Sequence, residues 1–294
     1  MGIERLERRA VARPWGRRSL PAGFAGCALD EPVGEIWFEP APGDSLLVKY
    51  LFTAERLSIQ VHPDDAAARA AGHPHGKDEA WLVVDAAPGA VIGVGLRRPV
   101  TRERLRAAAL DGSLERLVDW RPVKKGDAFF APAGTIHAIG AGLTLIEVQQ
   151  NIDLTYRLYD YGRPRELHLD EAVAAARPGP WRGTAPAAAA PGRRILAAGG
   201  PFTLERWTGR GSWRVEGGLL LVPLASRGAL DGAPLESGTA WRVEGGADLA
   251  SDRPLDLLAA YPGPPRPAAR LRDQSLVLRL HSSGKARLPS VDWR

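Results

Sequence analysis

The sequence predicts a mainly β protein built as a barrel or sandwich. Three observations lead there. Short apolar runs rich in β-branched residues recur along the chain, Gly, Pro and Asp punctuate them, and no regular alternation of strand and helix suggests a parallel sheet.

Taken in order, strands are expected at Gly34–Phe38, Leu46–Phe52, Leu57–His62, Ala80–Asp85, Val91–Val94, Asp127–Ala131 and Leu143–Gln149. Pro88-Gly89 marks a turn between two of them. Thr101–Val118 breaks the pattern, because Leu105, Leu110, Leu114 and Leu117 fall at helical spacing. Thr101 is the expected N-cap, with Arg104 where a full capping box would have Glu. A second short helix is expected at Asp170–Arg177. Residues 178–193, rich in Pro, Ala and Gly, read as a linker. Strands then resume at Phe202–Trp207, Ser212–Val215, Leu219–Pro223 and Ala240–Val243. The expected organisation is a larger β domain at 1–177 with a helical insert at about 101–118. The linker 178–193 follows, then a smaller β domain at 194–262. The stretch 263–294 stays unassigned, with one apolar alternation at Leu276–Leu280.

Composition narrows the function classes. With 294 residues and 45% hydrophobic content, a sizeable core is available. No apolar run reaches the roughly 18 residues of a membrane helix. The charged stretch Met1–Arg13 has no apolar signal core, so a cytoplasmic protein is expected. The net charge of +5 could suggest an anionic partner, but the basic residues are spread along the whole chain. Only five of the 39 are Lys, which reads as compositional bias and not as a nucleic-acid footprint. One cysteine, Cys27, excludes an intramolecular disulfide framework and cysteine-rich zinc sites; it reads as a half-buried thiol in a small-residue loop. Any metal must be held by His and oxygen ligands, and all His before His281 lie ahead of residue 178.

Three segments carry chemistry. In Leu57–Asp65, residues two apart share a face, so Gln60 and His62 project together while Leu57, Ile59 and Val61 face the other way. An amide oxygen beside an imidazole suits a metal better than a core. In Gly76–Trp81, Glu79 opens an apolar strand and Lys77 shares its side; taken alone, the triplet Lys77-Asp78-Glu79 reads as solvated charge. In Gly126–His137, the spacing Gly, five residues, Pro, one, Gly, two, His builds a tight turn that delivers His137 inward. Gln60, His62, Glu79 and His137 together form a mixed N/O set suited to Zn²⁺, with Mn²⁺, Co²⁺ or Fe²⁺ also compatible. His73 and His75 sit in a Gly/Pro-rich loop with solvent-like flanks. His168, near a helix start, is expected to orient or pack. Asp64-Asp65 reads as a helix cap before Ala66–Ala71.

The third segment matches the second motif of the cupin superfamily, with Ala141 where that motif has Asn. The first cupin motif has His-x-His where this chain has Gln60-x-His62. Over residues 10 to 175 the sequence resembles the short bacterial form of type I phosphomannose isomerases. The resemblance is carried by Pro14-Trp15-Gly16, Val33-Gly34-Glu35-Ile36-Trp37, Leu47-Val48-Lys49, Lys77-Asp78-Glu79-Ala80-Trp81, Gly134–Gly140, Glu147–Gln150 and Thr155–Tyr161. It departs at Asp78, where Thr or Pro is usual, and in a short loop after Tyr161. The resemblance implies a cupin jelly-roll barrel followed by a second, smaller cupin-like β domain. It implies one Zn²⁺ per chain on Gln60, His62, Glu79 and His137, with Arg157 as catalytic arginine. The implied reaction interconverts mannose 6-phosphate and fructose 6-phosphate through an enediol. Lys77 is expected in substrate binding with a share in proton transfer, Asp65 and Glu147 are lesser candidates for the base, and Lys49 and Arg17 are expected to help with the phosphate. The expected partner is a small sugar phosphate, with no nucleic acid and no membrane; the oligomeric state is open, a monomer included. Two other readings are an Fe²⁺-dependent cupin dioxygenase and a non-catalytic sugar-binding cupin. Gln60 at a ligand position weighs against the first, and Arg157 and Lys77 weigh against the second.

Overall fold

A computed structural model describes residues 2–183 and 187–266, with the backbone of a short strand at Leu271–Asp273. The alternation Leu276–Leu280, His281 and the rest of the C-terminal stretch lie outside the described residues.

The first half of the chain forms twelve strands in order: β1 Ile3–Arg5, β2 Arg8–Arg17, β3 Val33–Phe38, β4 Leu46–Phe52, β5 Ile59–Val61, β6 Glu79–Ala86, β7 Val91–Leu96, β8 Val118–Pro122, β9 Ala128–Ala131, β10 His137–Ile139, β11 Leu143–Gln150 and β12 Tyr156–Tyr159. They assemble into a six-stranded sheet, β2-β3-β4-β11-β6-β9, and a five-stranded sheet, β12-β5-β10-β7-β8. Period-2 alternation explains how the two sheets face each other. On β11, Leu145 joins a core with Trp81, Val83, Ile92 and Val94 between the sheets. Its neighbours Ile146 and Val148 turn outward, into a second core with Ile36, Val48, Phe52 and Leu82. The outer face of the five-stranded sheet is covered instead by helices, with Ile59, Val61, Leu105, Leu114 and Ala172 in one apolar cluster.

The helical insert is two helices, Arg102–Leu110 and Leu114–Leu117, separated at Gly112, whose φ of +76° ends the first. Thr101 caps it, its hydroxyl accepting from Arg104 N at 3.2 Å. Asp64 caps the short helix Asp65–Ala70 in the same way, accepting from Ala67 N at 2.9 Å. The expected helix near 170 spans Leu169–Ala175.

The described residues of the stretch 178–193 make specific contacts. Trp181 Nε1 donates to Phe130 O at 2.8 Å, Pro180 bridges Gly95, and Ala187–Ala190 pairs with Arg193–Ala198. The C-terminal half forms one sheet dominated by the antiparallel pair Phe202–Val215 and Ala247–Pro262. Phe202–Trp207 and Ser212–Val215 are one bent strand, with the register shifting between Gly209 and Gly211. Strand β1 crosses over to pair with Trp241–Val243 in this sheet. Phe202, Leu204, Leu220, Val222 and Leu258 pack on the outward face of the six-stranded sheet, and Cys27 lies half-buried against the same core. The other side has its own core around Trp207, Leu221, Leu249 and Tyr261.

Candidate metal centre and substrate cleft

Strand pairing brings the expected ligands together. His137 on β10 sits opposite Gln60 on β5, and Arg157 on β12 sits opposite Gln60 on its other side. Glu79 opens β6 on the facing sheet, where Gln149 and Ala131 are its cross-strand neighbours. The turn Pro132–Thr135, closed by Thr135 N donating to Pro132 O at 3.0 Å, has Gly134 at φ +85° in the position where a type II turn needs it. His137 leaves that turn pointing inward.

Among the described residues, His62, Glu79 and His137 converge closely enough to share an ion, with ligand atoms within 4.8 Å of one another. All three are buried. His62 Nδ1 donates to Leu154 O at 2.8 Å and His137 Nδ1 donates to Thr135 O at 2.9 Å. These bonds fix both tautomers and leave Nε2 as a lone pair. His62 Nε2 then lies 3.2 Å from Glu79 Oε2, and His137 Nε2 lies 3.0 Å from Oε1. Burial first, and the Lys77 ammonium second, push His62 down to about 3, so its imidazole is neutral. The Nε2 atoms of the two imidazoles and the Glu79 carboxylate thus face one another. The Lys77 ammonium lies against Glu79 Oε2 and His62 Nε2, but Glu79 Oε1 and His137 Nε2 still face each other at 3.0 Å as acceptor against acceptor, so the donor set fits a divalent metal. Gln60 stands at the edge, its amide nitrogen 3.2 Å from His137 Nε2 and its oxygen accepting from Ser58 Oγ at 3.0 Å. Exchanging the two amide atoms, which are indistinguishable in shape, would present oxygen to the ligand cluster.

Lys77 and Glu79 are not the solvated charges that the triplet suggests in isolation; they are 4% and 1% exposed. Lys77 Nζ lies 2.9 Å from Glu79 Oε2 and 3.3 Å from His62 Nε2. Burial opposes its charge, but Glu79 and Glu147 outweigh that and hold it above the usual lysine range. Burial likewise opposes ionisation of Glu79, and the Lys77 ammonium beside it prevails and holds it well below the carboxylate range.

Gln60 and Lys77 form the floor of a cleft of about 350 Å³, with the ligand cluster directly behind them. Arg157, Lys49 and Glu147 line the walls. Lys49 Nζ lies 3.5 Å from Glu147 Oε1 and 4.2 Å from the centre of the Trp37 ring. Glu147 also accepts from Trp81 Nε1 at 3.0 Å, and burial, with repulsion from Glu79, raises its carboxyl above the usual range. Arg157 N donates to His168 Nδ1 at 3.3 Å.

Two expected residues fall elsewhere. Arg17 is not in the cleft: its guanidinium donates to Leu143 O at 2.9 Å, Thr144 Oγ1 at 3.3 Å and Thr53 O at 3.3 Å, at the far end of β4 and β11. Asp65 is also absent from the lining, its Oδ1 accepting from Gly76 N and Gln150 Nε2 and its Oδ2 from Arg69. Leu57 precedes β5, outside its alternation, and lines the cleft instead of facing away. His73 and His75 stay in their half-buried loop, outside the cluster.

The cleft also contains residues to which no role was assigned. Arg13 donates to Glu35 Oε2 at 3.0 Å, and Glu35 accepts from Trp37 Nε1 at 2.7 Å. Arg165 is held in a two-point grip by Asp160, at 2.6 and 2.8 Å. Glu35 was detectable as the one charged residue inside the apolar run Val33–Phe38; Arg13 and Arg165 carry no such local signal.

No protein-family model matches the chain. Curated relatives do. The chain is 36% identical over 202 residues to a mannose-6-phosphate isomerase of Streptococcus mutans, covering 63% of this chain and 62% of that protein. It is 39% identical over 156 residues to mannose-6-phosphate isomerase ManA of Bacillus subtilis, covering 48% and 49%. The alignments thus span between about half and three fifths of these relatives. In three dimensions the chain superposes on the mannose 6-phosphate isomerase of Bacillus subtilis with a TM-score of 0.77 at 25% identity, covering 89% of this chain and all of that one. A variant of the phosphomannose isomerase of Salmonella typhimurium shares the fold, with a TM-score of 0.72 at 17% identity over 90% of this chain. The chain is a sequence relative of mannose-6-phosphate isomerases and has the cupin-like phosphomannose isomerase fold.

Proposed function

We propose that this chain is a metal-dependent aldose–ketose isomerase that interconverts mannose 6-phosphate and fructose 6-phosphate through an enediol. The observation that carries the reading is the set of mutually facing acceptors on His62, Glu79 and His137, placed behind the floor of a cation-lined cleft. His62, Glu79, His137 and the amide oxygen of Gln60 would hold one divalent ion, and Zn²⁺ suits two imidazoles with two oxygen donors. Such an ion supplies Lewis-acid polarisation at the sugar's carbonyl and hydroxyl oxygens.

The chain's own residues do the rest. Arg157, opposite Gln60, stays protonated and donates to the oxygen on which negative charge develops. Lys77, buried at the floor of the cleft beside Glu79, is a donor to substrate oxygens. Glu147 faces the same cleft with a raised carboxyl, which suits a group that takes the proton from one carbon and returns it to the other. Lys49, beside Glu147, adds positive potential for a phosphorylated substrate. Cytoplasmic work and a small-molecule partner go with this reading. So does a division into a catalytic unit up to residue 177 and a second β unit from 194, with β1 lent to the latter. No helix among the described residues is long and apolar enough to cross a membrane.

The test is turnover of mannose 6-phosphate by protein stripped with a chelator and reloaded with Zn²⁺. Activity should vanish and return, and Arg157→Ala should abolish it while zinc content stays at one per chain. Zinc bound without turnover of any hexose phosphate would refute the reading.

A further inference from the structure

We propose that Asp78 and Gln150 form a polar clamp that sets the spacing of the three ligand-bearing segments, and that Asp78 is a positioning residue for the metal centre. This rests on the metal-site reading above. The ligands come from three stretches far apart in sequence: β5 and its loop with His62, the segment opening β6 with Lys77 and Glu79, and the turn before His137. Their relative placement must hold to a fraction of an ångström for an ion to be shared.

Asp78 has no place among the expected ligands, and its neighbour Glu79 points the other way. Its Oδ1 accepts from Ala133 N at 2.8 Å, inside the turn that delivers His137. Its backbone is doubly tied to Gln150: Asp78 N donates to Gln150 Oε1 at 2.8 Å, and Gln150 N donates to Asp78 O at 3.1 Å. The Gln150 amide then extends the chain of contacts, its Nε2 donating to Asp65 Oδ1 at 3.1 Å, and that same oxygen accepts from Gly76 N at 2.9 Å. Two backbone bonds complete the frame. Lys77 N donates to Pro63 O at 3.0 Å, and Gly134 N donates to His62 O at 2.8 Å. Each ligand segment is thereby fixed to the other two. Gly76 belongs to the device, because a Cβ there would lie 2.4 Å from Asp64 C and 2.5 Å from Pro63 O; no side chain fits where these two segments touch.

Outer partners that orient metal ligands are worth about 10–100-fold in metal affinity. The experiment measures Zn²⁺ affinity of the full chain by competition with a chromophoric chelator. Asp78→Ala should weaken binding about 10–100-fold. Asp78→Asn keeps an acceptor oxygen for Ala133 N and should return the affinity to within a few-fold of the parent. Ala133→Pro removes the N–H that Asp78 accepts while placing Pro where a type II turn prefers it, and should weaken zinc like Asp78→Ala. Parent-like affinity in Asp78→Ala, or equal weakening in Asp78→Ala and Asp78→Asn, overturns the clamp. The readout is zinc affinity, so a parent that binds zinc but turns over no sugar phosphate refutes the proposed reaction and leaves the clamp to be judged on its own data.

Discussion

Replacing Glu79 by Gln is the perturbation whose size can be worked most fully from the structure. The Glu79 carboxylate has two jobs. Without metal it pairs with the buried Lys77 ammonium at 2.9 Å; on the proposed reading, with metal it would be the anionic ligand between the two imidazoles. Removing one partner of a buried ion pair costs about 3–5 kcal/mol, because the other charge is left uncompensated. In a chain somewhat larger than 250 residues each kcal/mol moves Tm by roughly 2–4 °C at most, so the metal-free variant should melt about 10 °C below the metal-free parent. Zinc at a thousand times its Kd stabilises the parent by about 4.1 kcal/mol, again roughly 10 °C. If the amide binds zinc about a hundredfold more weakly, the same concentration gives only about 1.4 kcal/mol, or roughly 4 °C. Thermal melts of parent and Glu79→Gln, each with chelator and with zinc, read both effects separately. A variant whose zinc-induced shift equals the parent's would refute the assignment of Glu79 as a ligand, whatever its metal-free stability.

Three further outcomes follow. Glu147→Gln should lower kcat by about 10²–10⁴-fold with KM and zinc content near the parent's, in a coupled assay of fructose 6-phosphate formation; if Lys77→Met gives that loss and Glu147→Gln does not, the proton carrier is Lys77. In the C-terminal sheet, Glu205 accepts from Arg193 at 2.8 Å through both oxygens and from Trp207 Nε1 at 2.6 Å. Burial opposes its charge, but the bonds from Arg193, Tyr261 and Trp207 prevail and hold it below the ordinary carboxylate range. A folded-state value below the unfolded one contributes stability that is complete above the unfolded pKa of about 4.3 and is lost as pH falls through the folded value. Urea melts at pH 7 and below pH 4 should therefore show an acid-side loss that is smaller in a Glu205→Gln, Arg193→Met double variant; an identical pH slope would contradict it. Finally, Gly76→Ala, which drives a methyl into the backbone at Pro63–Asp65, should lower Tm and zinc affinity together, as read by melting and chelator competition.

The grouping of the candidate ligands was legible because it is written in local rules. Period-2 alternation put Gln60 and His62 on one face, and the Pro-x-Gly turn aimed His137. Glu79 was harder: nothing in Lys77-Asp78-Glu79 alone reveals that two of three charges are buried, since that depends on the sheet that closes over them. Most inner strands were readable to within one or two residues for the same reason, and Leu219–Pro223 matched at both ends. The strand Ala247–Pro262 was not legible. Ala, Ser, Asp and Pro254 give it little β-propensity, and its extended form is imposed by its long pairing with Phe202–Val215. Arg17 failed in the opposite way. It was expected to help with the phosphate, but its partners are the carbonyls of Thr53 and Leu143, which only the folded barrel brings to it. The contact of Trp181 with Phe130 O, inside a stretch whose composition reads as a linker, was likewise not legible, because Phe130 lies fifty-one positions earlier in the chain.

The central claim is that side chains from β5, β6 and β10 grip one divalent ion. A crystal of zinc-loaded protein, measured at the zinc absorption edge, tests it most directly. The account predicts one anomalous peak per chain, about 2.0–2.2 Å from His62 Nε2, His137 Nε2 and a Glu79 oxygen, with the Gln60 amide oxygen turned toward it. Zinc-loaded crystals with no peak there, or with the ion held by other residues, would contradict it.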